Sequence, residues 1–325
     1  MVSRASEAPE DCEHGEHAER EVAELERLLQ EAKERLRQRK AVAQNEPSSA
    51  SLQQTQALKT RTPSPPREQS FLLIAPLTSS NHFLLLLSDS ALPLGSFAFS
   101  SGLESYLAHN RSRTSSSPAS FNIFLPISLS SYASTTLPFA LAAHRDPATV
   151  ADLDDALDAA IVCTVGRRAS IAQGRALLSI WERSLVASVP SDTAKVLKPF
   201  SLLLKASSAS GGSAPHGWGD PPAVSAHLAP LFGAICNLVG LSLAQTAYVF
   251  LLGHVKALVS AAVRASMFGP YQAQKVLASG LVKDLINAMV EREWETRVEE
   301  AGQSIPVMDL WIGRHEVLYS RIFNS

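Results

Sequence analysis

Ser88 to Glu104 reads SDSALPLGSFAFSSGLE, directly after the apolar run FLLLL at Phe83–Leu87. Serines and glycines at this density are the material of phosphate cradles and nucleophile elbows. A P-loop needs GxxxxGK[ST], because the lysine meets the phosphates and the hydroxyl meets magnesium. Gly95 is followed by SFAFSSG, with no lysine. A dinucleotide fingerprint needs GxGxxG after a strand, which Gly95 and Gly102 do not supply. A nucleophile elbow needs GxSxG, and no serine here stands in that frame. A second concentration, CEHGEH, holds Cys12, His14 and His17. Thiolate and imidazole together suit zinc or nickel. With no fourth ligand fixed, the cluster reads as a solvated polar tail, and these three are only weak metal candidates. The histidines at 82, 109, 144, 227, 254 and 315 show no HxxxH or HExxH spacing.

The chain's end is the third concentration. Ile305–Ser325 reads IPVMDLWIGRHEVLYSRIFNS, where Trp311, Tyr319 and Phe323 alternate with Arg314 and Arg321. Aromatics mixed with arginine are the residue types of interface anchors. Terminal segments also dock on their own domain, and both readings stay open.

The elements that must position these residues are helical. In the joint, Pro93 is expected to stop the preceding helix because it lacks an N–H, and Gly95 permits a sharp turn. Ser101-Gly-Leu-Glu104 matches a capping box in which Glu104 reaches back to the helix start. The segment therefore reads as a helix–turn–helix joint whose small residues let another surface come close. Leu153, Leu157 and Ile161, then Ile171, Leu178 and Trp181, predict two helices divided at Gly166. Leu185–Pro190 ends the second, and Asp192 is placed to cap a helix running toward Lys205. Ser207–Pro222 reads as a surface loop. Further helices are expected over 223–239, 242–266 and 271–295. Their apolar faces are Ala244, Tyr248, Leu251, Val255 and Leu258 in one, and Leu277, Leu281, Leu285 and Met289 in another. Phe121–Thr136 has strand-like residues, but Pro126 and serine pairs at the wrong period favour a helix. Clear period-two strands are missing, so the fold class is all-α, a single helical-bundle domain.

Composition sets the outer bounds. Of 325 residues, 46% are hydrophobic and 18% charged, enough for one sizeable core. Residues 1–46 are rich in Glu, Arg, Lys and Ala and form a charged helical or disordered extension. Val22, Leu25, Leu29, Ala32 and Leu36 give it a heptad seam, read as a short coiled coil or a lone solvated helix. Residues 47–70 are a Ser/Pro-rich linker, and 71–325 form the globular domain. The net charge of −2 gives no field for nucleic acid. Cys12, Cys163 and Cys236 are too scattered for a disulfide framework, which points to a reducing, cytoplasmic setting. The N-terminus lacks the apolar stretch of a secretory signal. The most apolar window, Leu241–Val263, carries Gln245, His254 and Lys256 and reads as a buried helix rather than a membrane span.

LLLLSDSALPLGSFAFSSGLESYL resembles the N-terminal signature of the UreF family of urease accessory proteins. SYASTTLPFALAAHRDP (131–147), HLAPLFGAICNLVGL (227–241) with AAVRASMFGPYQAQKVL (261–277), and the terminal RHEVLYSRIFNS agree with it in order. Residues 1–70 fall outside the resemblance. Ser96 stands where many relatives have a second glycine. The loops at 110–120 and 207–222 look like insertions of a eukaryotic, fungal-like member.

The resemblance implies an all-α domain without a catalytic centre. It implies a homodimer that joins UreD (UreH) and the GTPase UreG on apo-urease, where nickel is handled by the complex and no cofactor is bound firmly by this chain. Two partner surfaces are expected. One combines Ser96, Phe97 and Glu104 with Trp311, His315, Glu316, Tyr319, Arg321 and Phe323, and would face UreD. The other gathers Arg264, Tyr271, Gln272 and Gln274 for the dimer or UreG; Arg264 reads equally as a structural bridge or cap. The alternative is a regulator of the UreG GTPase cycle, through Arg264 or Arg321. An enzyme in its own right is disfavoured by the missing GxSxG, HExxH and P-loop.

Overall fold

The computed structural model describes residues 79–110, 118–210 and 223–324, all within the compact unit Leu73–Ser325. The expectations for the N-terminal extension, the linker and Cys12, His14 and His17 lie outside the described residues, as do 111–117 and 211–222 of the two loops. Among the described residues there is no strand, and the all-α fold class holds.

The bundle is organised around one helix. In order, α1 is Ser79–Ser88, α2 Leu103–His109, α3 Pro118–Arg145, α4 Val150–Ala160, α5 Thr164–Ile180, α6 Ser191–Ala194, α7 Lys198–Ser210 and α8 Leu228–Leu238. After these come α9 Leu243–Arg264, α10 Pro270–Leu277, α11 Gly280–Glu293 and α12 Val307–Arg314. Helix α3 is 28 residues long and apolar around most of its circumference, so it lies inside, packed by α8, α9 and α11. Phe121–Thr136 is thus the middle of a buried helix.

Helix α3 contains Pro126 and Pro138. A mid-helix proline leaves the carbonyl four residues earlier without its partner. For Pro138 that carbonyl belongs to Ser134, and it accepts the N–H of Gly302 at 3.1 Å instead. The break in one helix thereby fixes the approach to α12.

Two glycines set the tightest crossings. A Cβ on Gly233 of α8 would stand 1.9 Å from the Ala140 carbonyl oxygen of α3. One on Gly174 of α5 would stand 2.1 Å from the Ala226 carbonyl oxygen. Between α8 and α9 the chain turns through Gly240 (φ 84°), and Ser242 with Gln245 forms a capping box that starts α9. Helix α9 has the length and composition to cross a membrane, yet 56% of its most apolar window is buried inside the domain.

Several boundaries differ from the sequence expectation. The break between α4 and α5 falls at Ile161–Cys163, and Gly166 lies in the first turn of α5. Asp192 lies inside the single turn α6, whose N-cap is Pro190, and α7 begins only at Lys198. Residues 223–227 are not helical. Residues 271–295 divide into α10 and α11 at Ser279, whose hydroxyl accepts the N–H of Val282 at 3.3 Å. Of the expected apolar face, Leu277, Leu285 and Met289 pack half-buried against the core and Leu281 is exposed, while Val282 and Ile286 of α11 are the fully buried residues.

Candidate functional site

The joint after α1 is a tight double turn. Asp89 accepts the N–H of Ala91 at 2.9 Å, a local turn closed by the carboxylate. A 3-10 turn over Ser96–Ala98 follows Gly95, at φ 73°. Ser101 and Gly102 both have positive φ, 50° and 86°. A side chain at 102 would press on α12, because a Cβ would lie 3.2 Å from Ile312 and 3.3 Å from Trp311. The surface that approaches the small residues of the joint is the chain's own C-terminal helix.

This geometry replaces the expected capping box. The N-cap of α2 is Gly102, Ser101 lies outside the helix, and Glu104 does not reach back. The Glu104 carboxylate accepts from His315 Nε2 at 2.8 Å, from the Ile322 N–H at 2.7 Å and from the Phe323 N–H at 3.3 Å. The Asn324 N–H donates to the Ala98 carbonyl at 2.9 Å. A local motif match has been overridden by three donors from the far end of the chain, since three N–H groups satisfy a carboxylate better than one backbone donor.

Arg264, the last residue of α9, joins the same cluster. Its guanidinium donates to the Phe97 carbonyl and lies 4.4 Å from the centroid of the Phe323 ring. Trp311 is edge-on to Tyr106, with centroids 4.9 Å apart, and also touches the Phe124 ring. Glu316 pairs with Arg168 of α5, and the Ser96 hydroxyl donates to Gln173 at 2.8 Å.

The structure thus brings Ser96, Phe97, Glu104, Arg264, Trp311, His315, Glu316 and Phe323 into one assembly. The tail docks on its own domain through the aromatic rings at 311 and 323. It leaves Tyr319 fully exposed, with Arg321, Val317 and Ile322 also exposed around it. The expected second surface loses Arg264 to the first. Tyr271 and Gln274 are exposed on α10 and Gln272 is half-buried; no hydrogen bond joins any of them to the tail cluster.

Two features escaped the sequence. The first is a cavity of about 560 Å³, open to the surface past Val162 and Phe97 and walled by Ser128 and Tyr132 of α3, Gln173 of α5, His254 of α9, the joint and Met308 of α12. His254 stacks on Tyr132 with centroids 4.0 Å apart and meets the Ser128 hydroxyl at 3.0 Å. Burial pushes its pKa down to about 3, so the ring is neutral. Ser128, Ser131 and Thr135 carried the signal, being hydroxyls at helical spacing along an apolar helix.

The second is a buried polar chain. The Asp154 carboxylate, without exposed surface, accepts the N–H groups of Ser225 (2.6 Å), Ala226 (3.0 Å) and His227 (2.5 Å). This holds 225–227 in a non-helical turn, with Ala226 in the left-handed region at φ 71°, and explains why α8 starts only at Leu228. His227 then bridges Ser170 (3.0 Å, Nδ1) and Asp158 (2.7 Å, Nε2), and Arg167 grips Asp158 at 2.6 Å. Burial would raise the Asp158 pKa, but hydrogen bonds and charge from Arg167 and His227 outweigh it and hold it at about 2. The order Ser–His–Asp has the residue types of a nucleophilic triad. Here the Ser170 oxygen already accepts the Leu228 N–H at 3.3 Å, and the ring has no exposed surface. The chain anchors the start of α8. Among the described residues no group of three or more His, Cys, Asp or Glu could hold a metal ion.

Comparison with known proteins gives a consistent picture. The family model described as UreF matches residues 115–280. The chain is 38% identical over 248 residues to an uncharacterized urease accessory protein UreF-like of Schizosaccharomyces pombe, covering 76% of this chain and 98% of that protein. It is 34% identical over 239 residues to urease accessory protein F of Oryza sativa subsp. japonica, covering 73% and 82%. Urease accessory protein UreF of Paenarthrobacter aurescens is 30% identical over 241 residues, covering 74% and 95%.

Proposed function

Because the chain belongs to the UreF family of urease accessory proteins, we propose that it works as a non-catalytic scaffold. With a UreD/UreH-like protein and a UreG-like GTPase it assembles on apo-urease and supports nickel insertion. The observation that carries this reading is the surface at the docked tail. Tyr319, Val317, Ile322 and Phe97 are exposed there beside the Arg264 cluster, the residue types that anchor interfaces. The chain acts as a homodimer in the cytoplasm, and nickel is handled by the complex without a firmly bound cofactor here. The net charge of −2 favours protein partners over nucleic acid.

Co-expression with UreD- and UreG-like proteins, followed by size exclusion with light scattering, tests the scaffold. The full chain and a Tyr319→Ala/Arg321→Ala variant are compared with the chain lacking residues 305–325. Loss of complex in both altered forms supports docking through the tail. Equal binding by all three moves the interface to α10, and no complex with wild type refutes the scaffold.

A second reading is regulation of the GTPase cycle. Arg321 is exposed and makes no ion pair among the described residues, whereas Arg264 is engaged by Phe97 and Phe323. This favours Arg321 for stabilising transition-state charge. Lower GTP turnover in Arg321→Ala with the complex intact would support it.

A further inference from the structure

We propose that the cavity is a binding site for a small amphipathic monocarboxylate, with the Lys256 ammonium as its anion anchor. The inference concerns the free chain and does not rest on the partners of the tail.

The cavity has the size and make-up of a ligand cleft. Its volume of about 560 Å³ lies within the roughly 300–1,000 Å³ of small-molecule sites. It opens past Val162 and Phe97, both exposed. Leu157, Phe232, Phe250 and Met308 line it and are buried. Such walls take an alkyl or aryl body, and a few polar groups then fix its orientation.

One positive charge stands among these walls. Lys256 of α9 is the one lysine or arginine of the lining among the described residues. It makes no ion pair there, and its single hydrogen bond goes to the Ser88 carbonyl at 2.5 Å. Ser88 is the last residue of α1, so this bond caps the helix end and fixes the head group. An ammonium has three donors, and two are left over. A ligand carboxylate accepts them in charge-assisted hydrogen bonds.

The other ionisable groups of the lining leave that charge unopposed. Burial keeps the His254 ring neutral, and its Nε2 meets Ser128. Asp309 belongs to the network that seats α12. It accepts the Gln303 amide at 3.0 Å, and the Gln303 oxygen takes the Ser131 hydroxyl at 2.7 Å and the Ile305 N–H at 3.0 Å. Asp89 is exposed and closes its own turn on Ala91.

The experiment is calorimetric titration of the full chain with octanoate, octanamide and octylamine, which share an alkyl body and differ in head-group charge. Octanoate should occupy a single site and bind about tenfold more tightly than octanamide, the fold-change of one charge-assisted hydrogen bond. Lys256→Met should abolish that preference with octanamide binding unchanged, and Lys256→Arg should keep it. Gly253 also lines the cavity, and a Cβ there meets nothing within 4 Å. Gly253→Leu should therefore fill the cleft without straining the fold and weaken both ligands.

No octanoate binding by wild type overturns the site, and so does binding that neither Lys256→Met nor Gly253→Leu changes. Octanamide or octylamine binding as tightly as octanoate overturns the carboxylate. Should Lys256→Met fail to fold, seen as a lost melting transition, the wild-type preference for octanoate and its weakening in Gly253→Leu decide.

Discussion

Gly233 passes so close to Ala140 that one added methyl would stand 1.9 Å from the Ala140 carbonyl oxygen. Neither partner can yield, because the contact is backbone against carbon at the crossing of the two most buried helices. Gly233→Ala is expected to cost about 3 kcal/mol or more, the upper part of the overpacking range, read as a lower urea midpoint. Gly253→Ala is the control. Nothing lies within 4 Å of its Cβ position, and alanine in a helix interior should stabilise by about 0.5–1 kcal/mol.

Asp154 gives a second expectation. Removing its carboxylate strands three buried N–H groups. Asp154→Ala should destabilise by about 3–5 kcal/mol, whereas Asp154→Asn, which keeps one acceptor oxygen, should lose less. Equal stability of wild type and Asp154→Ala in urea would show that the non-helical 225–227 segment holds itself.

Acid sensitivity follows from groups with depressed pKa values, among which His254 and Asp158 have the large shifts and burial also lowers His144. For His254, burial lowers the value from 6.5 to about 3. The unfolded chain therefore binds a proton below pH 6.5 that the folded chain refuses until about pH 3. Stability should fall across that window by about 1.4 kcal/mol per pH unit. Asp158, held at about 2 against an ordinary 3.8, contributes stability above pH 3.8 that is lost as pH falls toward 2. His254→Gln should flatten the dependence between roughly pH 6 and 4 and leave the lower limb, as measured by urea midpoints over that range.

Within the tail, exposure separates two kinds of effect. Trp311→Ala removes the ring packed on Tyr106 and Phe124 and should lower the melting temperature by several degrees, corresponding to about 2–3 kcal/mol. Tyr319→Ala removes a fully exposed ring and should leave the melting temperature within about 1 °C while weakening partner capture. A fall in melting temperature with Tyr319→Ala would mean that its ring packs on the domain.

Much of the fold was legible because its information is local. The period of α9 and the joint between α1 and α2 stand in consecutive residues, and Pro126 with mistimed serines argued against a strand in α3. The failures have the opposite character. SGLE at 101–104 satisfies a capping pattern, yet Glu104 is claimed by donors up to 219 positions away. Residues 223–227 look ready to begin a helix, but an aspartate 71–73 positions before Ser225 and His227 holds 225–227 in a non-helical turn. The division of α10 from α11 was in plain view as Ser279-Gly280, a cap followed by a glycine, hidden by a continuous apolar period. In the candidate site, residue types were readable, but their grouping was not. Only the fold shows Arg264 beside Phe97 and Phe323, and the cavity arises from walls on several helices.

The centrality of α3 also has a consequence in time. A ribosome releases this helix, apolar on nearly every side, well before α8 and α9, which cover it, exist. The Asp154–His227 contact closes over 73 positions and the Glu104–Ile322 contact over 218. Folding cannot proceed element by element behind synthesis, and the nascent chain must carry an uncovered greasy rod until its last third emerges. Yield in a cell should therefore depend on how well its holdases shelter that intermediate.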